Sequence, residues 1–171
     1  MAFKFEKLSV LVVEDTPPMQ KLIASVLESI GVKRMNVAEN GQRGFDMFCR
    51  DNHDIIISDW LMSPVDGLEL VRLVRNEASS PNRLVPVIML TGYNSLGRVM
   101  TARDAGVTEF LVKPFTAGDV AKRIAHVINK PRDYIDSAEY FGPDRRRHND
   151  PNYKGPWRRE SDKNNSDWQV G

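Results

Sequence analysis

Three acids, a hydroxyl and a lysine stand at the ends of short apolar runs, and these residue types together suit phosphoryl chemistry. Glu14 and Asp15 follow the run Leu8–Val13, and Asp59 follows Ile55–Ser58. Carboxylates brought together repel one another, and a hard divalent cation with oxygen ligands, most often Mg²⁺, relieves that repulsion. Thr91 ends the run Val85–Leu90 and Lys113 follows Glu109–Val112, so a hydroxyl and an ammonium are expected on the same rim. Asp59 is then expected to attack a transferred phosphoryl group as nucleophile, while Mg²⁺ and Lys113 neutralise the charge that develops. His53, His126 and His148 are scattered without metal-ligand spacing and receive no catalytic role.

For those side chains to meet, the apolar runs must be neighbouring strands. Leu8–Val13, Ile55–Ser58, Val85–Leu90 and Glu109–Val112, with a weaker run at Arg34–Ala38, alternate with segments of helical spacing. In the first of these, Met19, Leu22, Ile23, Val26, Leu27 and Ile30 recur at three- and four-residue intervals. Thr16 is expected to cap that helix, Pro17 to occupy its first turn and Gly31 to stop it. Segments 41–52, 68–77, 95–106 and 116–129 read the same way. Strands apolar on both faces belong to parallel sheets covered by helices on each side. Five such units predict an α/β domain with a doubly wound five-stranded parallel sheet. In that architecture chemistry sits at the carboxyl ends of the strands, where the acids, Thr91 and Lys113 fall.

The set Val12-Val-Glu-Asp15, Ile57-Ser-Asp-Trp60 with Asp66-Gly67, Leu90-Thr-Gly92 and Val112-Lys-Pro-Phe115 resembles the CheY-like receiver domain of bacterial response regulators, over residues 8–130. The resemblance implies the flavodoxin-like (βα)5 fold, no enzymatic role and a chain controlled by a histidine kinase. By position it makes Asp59 the phosphoacceptor. Asp15, Asp59 and the backbone carbonyl of Leu61 become metal ligands, and Glu14 holds a metal-bound water. Thr91 and Lys113 become the sensors of the phosphoryl group, and Lys113–Pro114 a cis peptide. Phe110 falls at the family's switch aromatic, often a Tyr, and brings no hydroxyl. Ser63 stands where many receivers carry Pro, with Pro64 following, and Leu61 occupies a position that tunes dephosphorylation. A degenerate receiver that keeps its acids only as a solvated cluster is the alternative at this site.

Composition sets the surroundings. The chain has 171 residues, with 24 Lys and Arg against 23 Asp and Glu and a formal net charge of +1. Whole-chain charge therefore gives no push toward nucleic acid or a membrane surface. The lone Cys49, in Phe45-Asp-Met-Phe-Cys49, reads as a small buried hydrophobe of a reducing cytosol. The six-residue run Leu8–Val13 is too short for a signal peptide or a membrane span, so a cytoplasmic location is expected.

From Pro131 to Gly171 the character changes, and the segment reads as a mostly disordered tail behind a receiver of residues 1–130. Inside it one phrase is doubled: Tyr140-Phe-Gly-Pro-Asp-Arg-Arg and Tyr153-Lys-Gly-Pro-Trp-Arg-Arg. Over Tyr140–Arg159 six basic residues, Arg145, Arg146, Arg147, Lys154, Arg158 and Arg159, face two acids, Asp144 and Asp150. Arginine forks bind phosphate or the guanine edge bidentately and stack on flat rings. Tyr140, Phe141, Tyr153 and Trp157 offer purine-stacking surfaces, worth about 1–3 kcal/mol per base in single strands. Asp144 can accept from a guanine, and each Gly-Pro is expected to form a turn. A ligand with two guanines and two phosphates, cyclic di-GMP, would use all of these features over residues 140–160.

A receiver with an arginine-rich tail also resembles the Cle group, CheY-like cyclic di-GMP effectors. That resemblance implies docking on a flagellar motor or attachment protein and recruitment to the flagellated pole. Three other readings of the tail stay open: a solvated extension, an RNA- or single-strand-binding segment, and a bivalent peptide for a protein partner. The near-neutral charge argues against nucleic acid.

Overall fold

The computed structural model describes residues 4–92 and 96–144. After a short 3-10 turn at Phe5–Lys7, strands and helices alternate five times. They are β1 (Ser9–Val13), α1 (Pro17–Ser29), β2 (Arg34–Ala38), α2 (Gly41–Asp51), β3 (Ile55–Asp59), α3 (Gly67–Asn76), β4 (Val87–Thr91), α4 (Leu96–Ala105), β5 (Glu109–Val112) and α5 (Ala117–Asn129). A hairpin of β6 (Tyr134–Asp136) and β7 (Phe141–Pro143) follows.

The five strands form one sheet in the order β2-β1-β3-β4-β5, every pair parallel. Alternate strand residues feed two separate cores, the physical consequence of a two-residue side-chain period. Leu11, Val13, Ile56, Val87 and Met89 pack with Phe45 and Phe48 of α2, Leu70, Val71 and Val74 of α3 and Ala102 of α4. Val10, Val12, Ile55, Ile57, Ile88 and Leu90 pack with Ile23 and Leu27 of α1 and Val120, Ile124 and Val127 of α5. Each such fully buried side chain contributes about 1.5–3 kcal/mol of transfer free energy, which makes this registry costly to slip.

The helix ends are chemically specified, with one surprise. Asn40 accepts from the Arg43 N–H at α2, Asp66 from the Glu69 N–H at α3, and Thr116 forms a reciprocal capping box with Asp119 at α5. Gly31 (φ 104°) and Gly106 (φ 108°) take left-handed conformations behind α1 and α4. Thr16 occupies the N-cap of α1, but its side chain makes no capping bond. Its hydroxyl instead donates to Glu14 Oε1 at 2.9 Å, a charge-assisted bond that ties the side chain to the buried carboxylate.

The segment read from Pro131 as mostly disordered begins with structure. Residues 131–144 carry the antiparallel hairpin, with Tyr134 opposite Pro143, Ile135 opposite Gly142 and Asp136 opposite Phe141. The first Gly-Pro, expected as a turn, lies inside β7. An edge position tolerates a residue without an N–H, and the carbonyl of Pro143 accepts from the Tyr140 hydroxyl at 2.8 Å. Aromatic contacts to arginines on the receiver supply what aliphatic residues would otherwise have provided. Arg145, Arg146, Arg147, Trp157, Arg158 and Arg159 lie outside the described residues.

Candidate functional site

β1 has β2 on one side and β3 on the other, so the chain reverses its direction of build at the β1/β3 boundary. That boundary opens a crevice at the carboxyl ends of the strands. Register carries the acids there: Val13 lies opposite Ser58, so Glu14 and Asp15 leave β1 beside Asp59 at the end of β3. Carboxylate oxygens of Glu14, Asp15 and Asp59 all lie within 4.8 Å of one another. Gly67 makes this possible from below, since a Cβ there would collide with the backbone carbonyl of Asp59.

The ammonium of Lys113 lies 3.1 Å from Asp59 Oδ1 and 3.9 Å from Glu14 Oε2. Asp59 Oδ1 also accepts the N–H of Trp60 at 2.9 Å. Thr91, at the end of β4, is buried, and its carbonyl accepts the Lys113 N–H at 2.8 Å, joining the two residues through one backbone bond. The Lys113–Pro114 peptide is cis, as the resemblance implied, and Ser63–Pro64 is cis as well.

Glu14 is the most constrained member, at 1% exposure. Its Oε1 accepts from the Thr16 amide at 3.1 Å and the Thr16 hydroxyl at 2.9 Å, and its carbonyl accepts from Gln20 at 2.6 Å. Its Oε2 is buried without a hydrogen-bond partner among the described residues. Burial is the main reason its carboxyl is raised above the ordinary 4.5, and the neighbouring Asp59 charge adds to that; the Thr16 bonds act in the opposite direction. A buried carboxylate oxygen with no donor, facing two other carboxylates, is what a hard cation would satisfy, so the residues present fit Mg²⁺.

The remaining receiver positions divide. Leu61 projects into solvent beside the site at 53% exposure. Phe110 is half-buried and packs against the α2–α3–α4 core, not toward the acids. Thr16, Gln20 and Trp60 were not legible as site residues. A Thr two positions after Glu14 reads from sequence as a helix cap, and only the fold reveals the carboxylate as its target. Tyr140 and Asp144 belong to the hairpin, where the amide of Asp144 donates to the Asp133 carbonyl at 2.6 Å. Phe141 carries the guanidinium of Arg83 3.6 Å from its ring centroid.

This sheet order, with three acids and a lysine at the strand ends, is that of a receiver domain. The chain belongs to the response regulator receiver domain family, whose model matches residues 10–125. It is 34% identical over 123 residues to a chemotaxis protein CheY homolog of Campylobacter jejuni, covering 71% of this chain and 92% of that one. Among solved structures it is similar to the chemotaxis protein CheY4 of Vibrio cholerae (28% identity, TM-score 0.65, 70% of this chain and 98% of that one). It is also similar to the receiver domain of the sensor histidine kinase PA1611 of Pseudomonas aeruginosa, which holds a magnesium ion in its active-site cleft (28% identity, TM-score 0.65, 72% and 98%). The hairpin lies beyond the family match. Among the described residues no helix is long and apolar enough to cross a membrane.

Proposed function

We propose that this protein is a single-domain response regulator that accepts a phosphoryl group on Asp59 and acts as a cyclic di-GMP effector through its arginine-rich segment. Its target is a flagellar motor or attachment protein, met in the cytoplasm at the flagellated pole. The observation that carries the first half is the convergence of Glu14, Asp15 and Asp59 within 4.8 Å, with Lys113 3.1 Å from Asp59.

A carboxylate oxygen of Asp59 attacks phosphorus, and an O–P bond forms as the bond to the donor, a histidine kinase or small phosphodonor, breaks. The leaving electron pair stays with the donor, and an acyl phosphate remains on Asp59. Mg²⁺, when bound, would supply charge neutralisation for the transferred phosphoryl group. Asp15, Asp59 and the Leu61 carbonyl would hold it, with Glu14 holding a metal-bound water. Lys113 exchanges its Asp59 contact for a phosphoryl oxygen, and Thr91 donates its hydroxyl to another. Their shared backbone bond moves β4 and β5 together.

Docking falls to the α4–β5–α5 face. A groove of about 470 Å³ there is lined by Leu111, Val112, Asp119, Lys122, Arg123 and His126, and Val112 is 43% exposed. The nucleotide half rests on the doubled phrase and its arginine bias. Arg145, Arg146, Arg147, Arg158 and Arg159 clasp phosphates and guanine edges, Trp157 and Tyr140 stack, and Asp144 accepts from a guanine. The Tyr140 hydroxyl is committed to Pro143, which narrows that residue's part to its ring.

Titration calorimetry of cyclic di-GMP into the full chain and into a chain ending at 144 tests this half. Heat from the full chain alone is the expected result; equal heats, or none, overturn it. A second reading, favoured by the complete acid site, makes Asp59 alone the control and the tail a protein- or RNA-binding peptide. Loss of target capture in Asp59→Asn, with capture intact in Arg146→Ala and Arg158→Ala, selects that reading.

A further inference from the structure

The hairpin is joined to the receiver at the amino ends of the strands, the opposite side of the sheet from the acids. Arg75, on α3, is the largest fully buried side chain among the described residues, at 0% exposure. Its Nε donates to the carbonyl of Gly106 at 3.1 Å, and its Nη1 to those of Arg83 and Val85, both at 2.7 Å. Its Nη2 reaches Thr108 Oγ1 at 3.4 Å. These acceptors come from the loop before β4, the end of α4 and the start of β5. One guanidinium thus ties three segments together.

Its charge is met by carbonyls and a hydroxyl, and burial in such a place is expensive unless every donor is used and the remaining surface is covered. The hairpin does the covering. The Tyr134 ring lies 5.5 Å from the Arg75 guanidinium, and its hydroxyl donates to the Leu84 carbonyl at 2.5 Å. Arg83, whose guanidinium also donates to the Arg75 carbonyl, sits on Phe141 at 3.6 Å from the centroid. Arg132 donates to the Thr108 carbonyl at 3.2 Å. Gly142 approaches so closely that a Cβ there would come within 3.2 Å of the Gly106 Cα.

We propose that the β6–β7 hairpin is a clamp on the end of α3 and the loop before β4, built from the Arg75–Tyr134 and Arg83–Phe141 pairs and extended to the carboxyl end of α4 through Gly106, which makes 131–144 part of the folded domain. α4 is therefore held at its far end by a segment outside the family match, while its near end follows Thr91 and the loop leaving β4. Anything that displaces α4 must loosen or carry the hairpin, and coupling of this kind is reciprocal. The arginine-rich segment begins at the next residue after Asp144, so the clamp sets its point of departure.

Thermal melts and amide hydrogen exchange on three chains test the clamp: the full chain, one ending at 144 and one ending at 130. The chain ending at 144 is expected to melt with the full chain. The chain ending at 130 is expected to melt about 5 °C or more lower, with exchange about tenfold faster across 103–108. Because that truncation removes many contacts, Phe141→Ala in the full chain supplies the milder probe, with faster exchange at 103–108 and 134–143 and unchanged exchange in β1 and α1. Equal melts and equal exchange for the chains ending at 130 and 144 overturn the proposal, as does Phe141→Ala exchange confined to the hairpin. None of these readouts involves Asp59 or a nucleotide, so their failure is separable from failure of the functional reading.

Discussion

The two ends of the sheet solve opposite electrostatic problems. At the carboxyl ends, three carboxylates lie within 4.8 Å of one another with the Lys113 ammonium beside two of them, and Glu14 Oε2 is buried without a donor among the described residues. At the amino ends a buried guanidinium finds an acceptor for each nitrogen group and an aromatic roof. The first arrangement is under-satisfied and therefore receptive to a cation. The second is satisfied and therefore structural. Unmet buried polarity marks the place of chemistry here, and met polarity marks the place of attachment.

Substitutions at each end should separate these roles. Asp59→Asn removes the nucleophile, so phosphoryl incorporation from acetyl phosphate and Mg²⁺, read by intact-protein mass, is expected to vanish while the melt of the hairpin end is unchanged. Incorporation that persists in Asp59→Asn would move the acceptor elsewhere. Arg75→Met at the other end removes donors from the carbonyls of Gly106, Arg83 and Val85 together. Urea denaturation should show a loss of about 3 kcal/mol, since each orphaned buried acceptor costs about 1–3 kcal/mol and part of the surface relaxes. Arg75→Lys should recover only part of that, because one ammonium cannot span acceptors on three segments. A loss below about 1 kcal/mol would mean the fork is not what joins these segments.

Smaller effects test how the acid site is tuned. Thr16→Val keeps the shape near α1 but withdraws the hydroxyl that aims Glu14. Mg²⁺ affinity, followed through the fluorescence of Trp60 beside Asp59, is expected to fall about tenfold, with Thr16→Ser restoring it. If Thr16→Val binds Mg²⁺ like the unaltered chain, Thr16 is a spacer after all. The pH dependence is gentler. Glu14 has its carboxyl raised above 4.5, so the folded state holds its proton at a higher pH than the unfolded chain does. In the absence of metal, this group's contribution to stability is therefore greatest below 4.5 and declines as pH rises through the raised value. Mg²⁺ requires the charged form, so its affinity should fall as pH drops through that same range. Affinity independent of pH there would show that Glu14 does not meet the ion.

Much of the acid site was legible from residue types alone, because each member stands just past an apolar run and parallel sheets place such residues on one edge. The strands, the helices and the five-part order follow from hydrophobic period with little ambiguity. Thr16 stands at the N-cap as expected, but its bond to Glu14 escaped because local pattern cannot see the buried carboxylate two residues before it. The hairpin escaped for a related reason. Residues 131–144 hold one aliphatic β-branched side chain, Ile135, and so look unable to fold by themselves. Arg75 and Arg83 looked like ordinary surface charges, and neither half of the clamp announces the other.

The sequence alone therefore determined the doubly wound sheet and the acids, hydroxyl and lysine at its carboxyl ends, since both depend on patterns a few residues long. It also determined the arginine bias and repetition of Tyr140–Arg159, which are facts of composition. Only tertiary structure decided that a buried arginine and an aromatic hairpin, nearly sixty residues apart in Arg75 and Tyr134, complete one another. That decision depends on long-range proximity, where desolvated charge and aromatic faces become partners that no local pattern encodes.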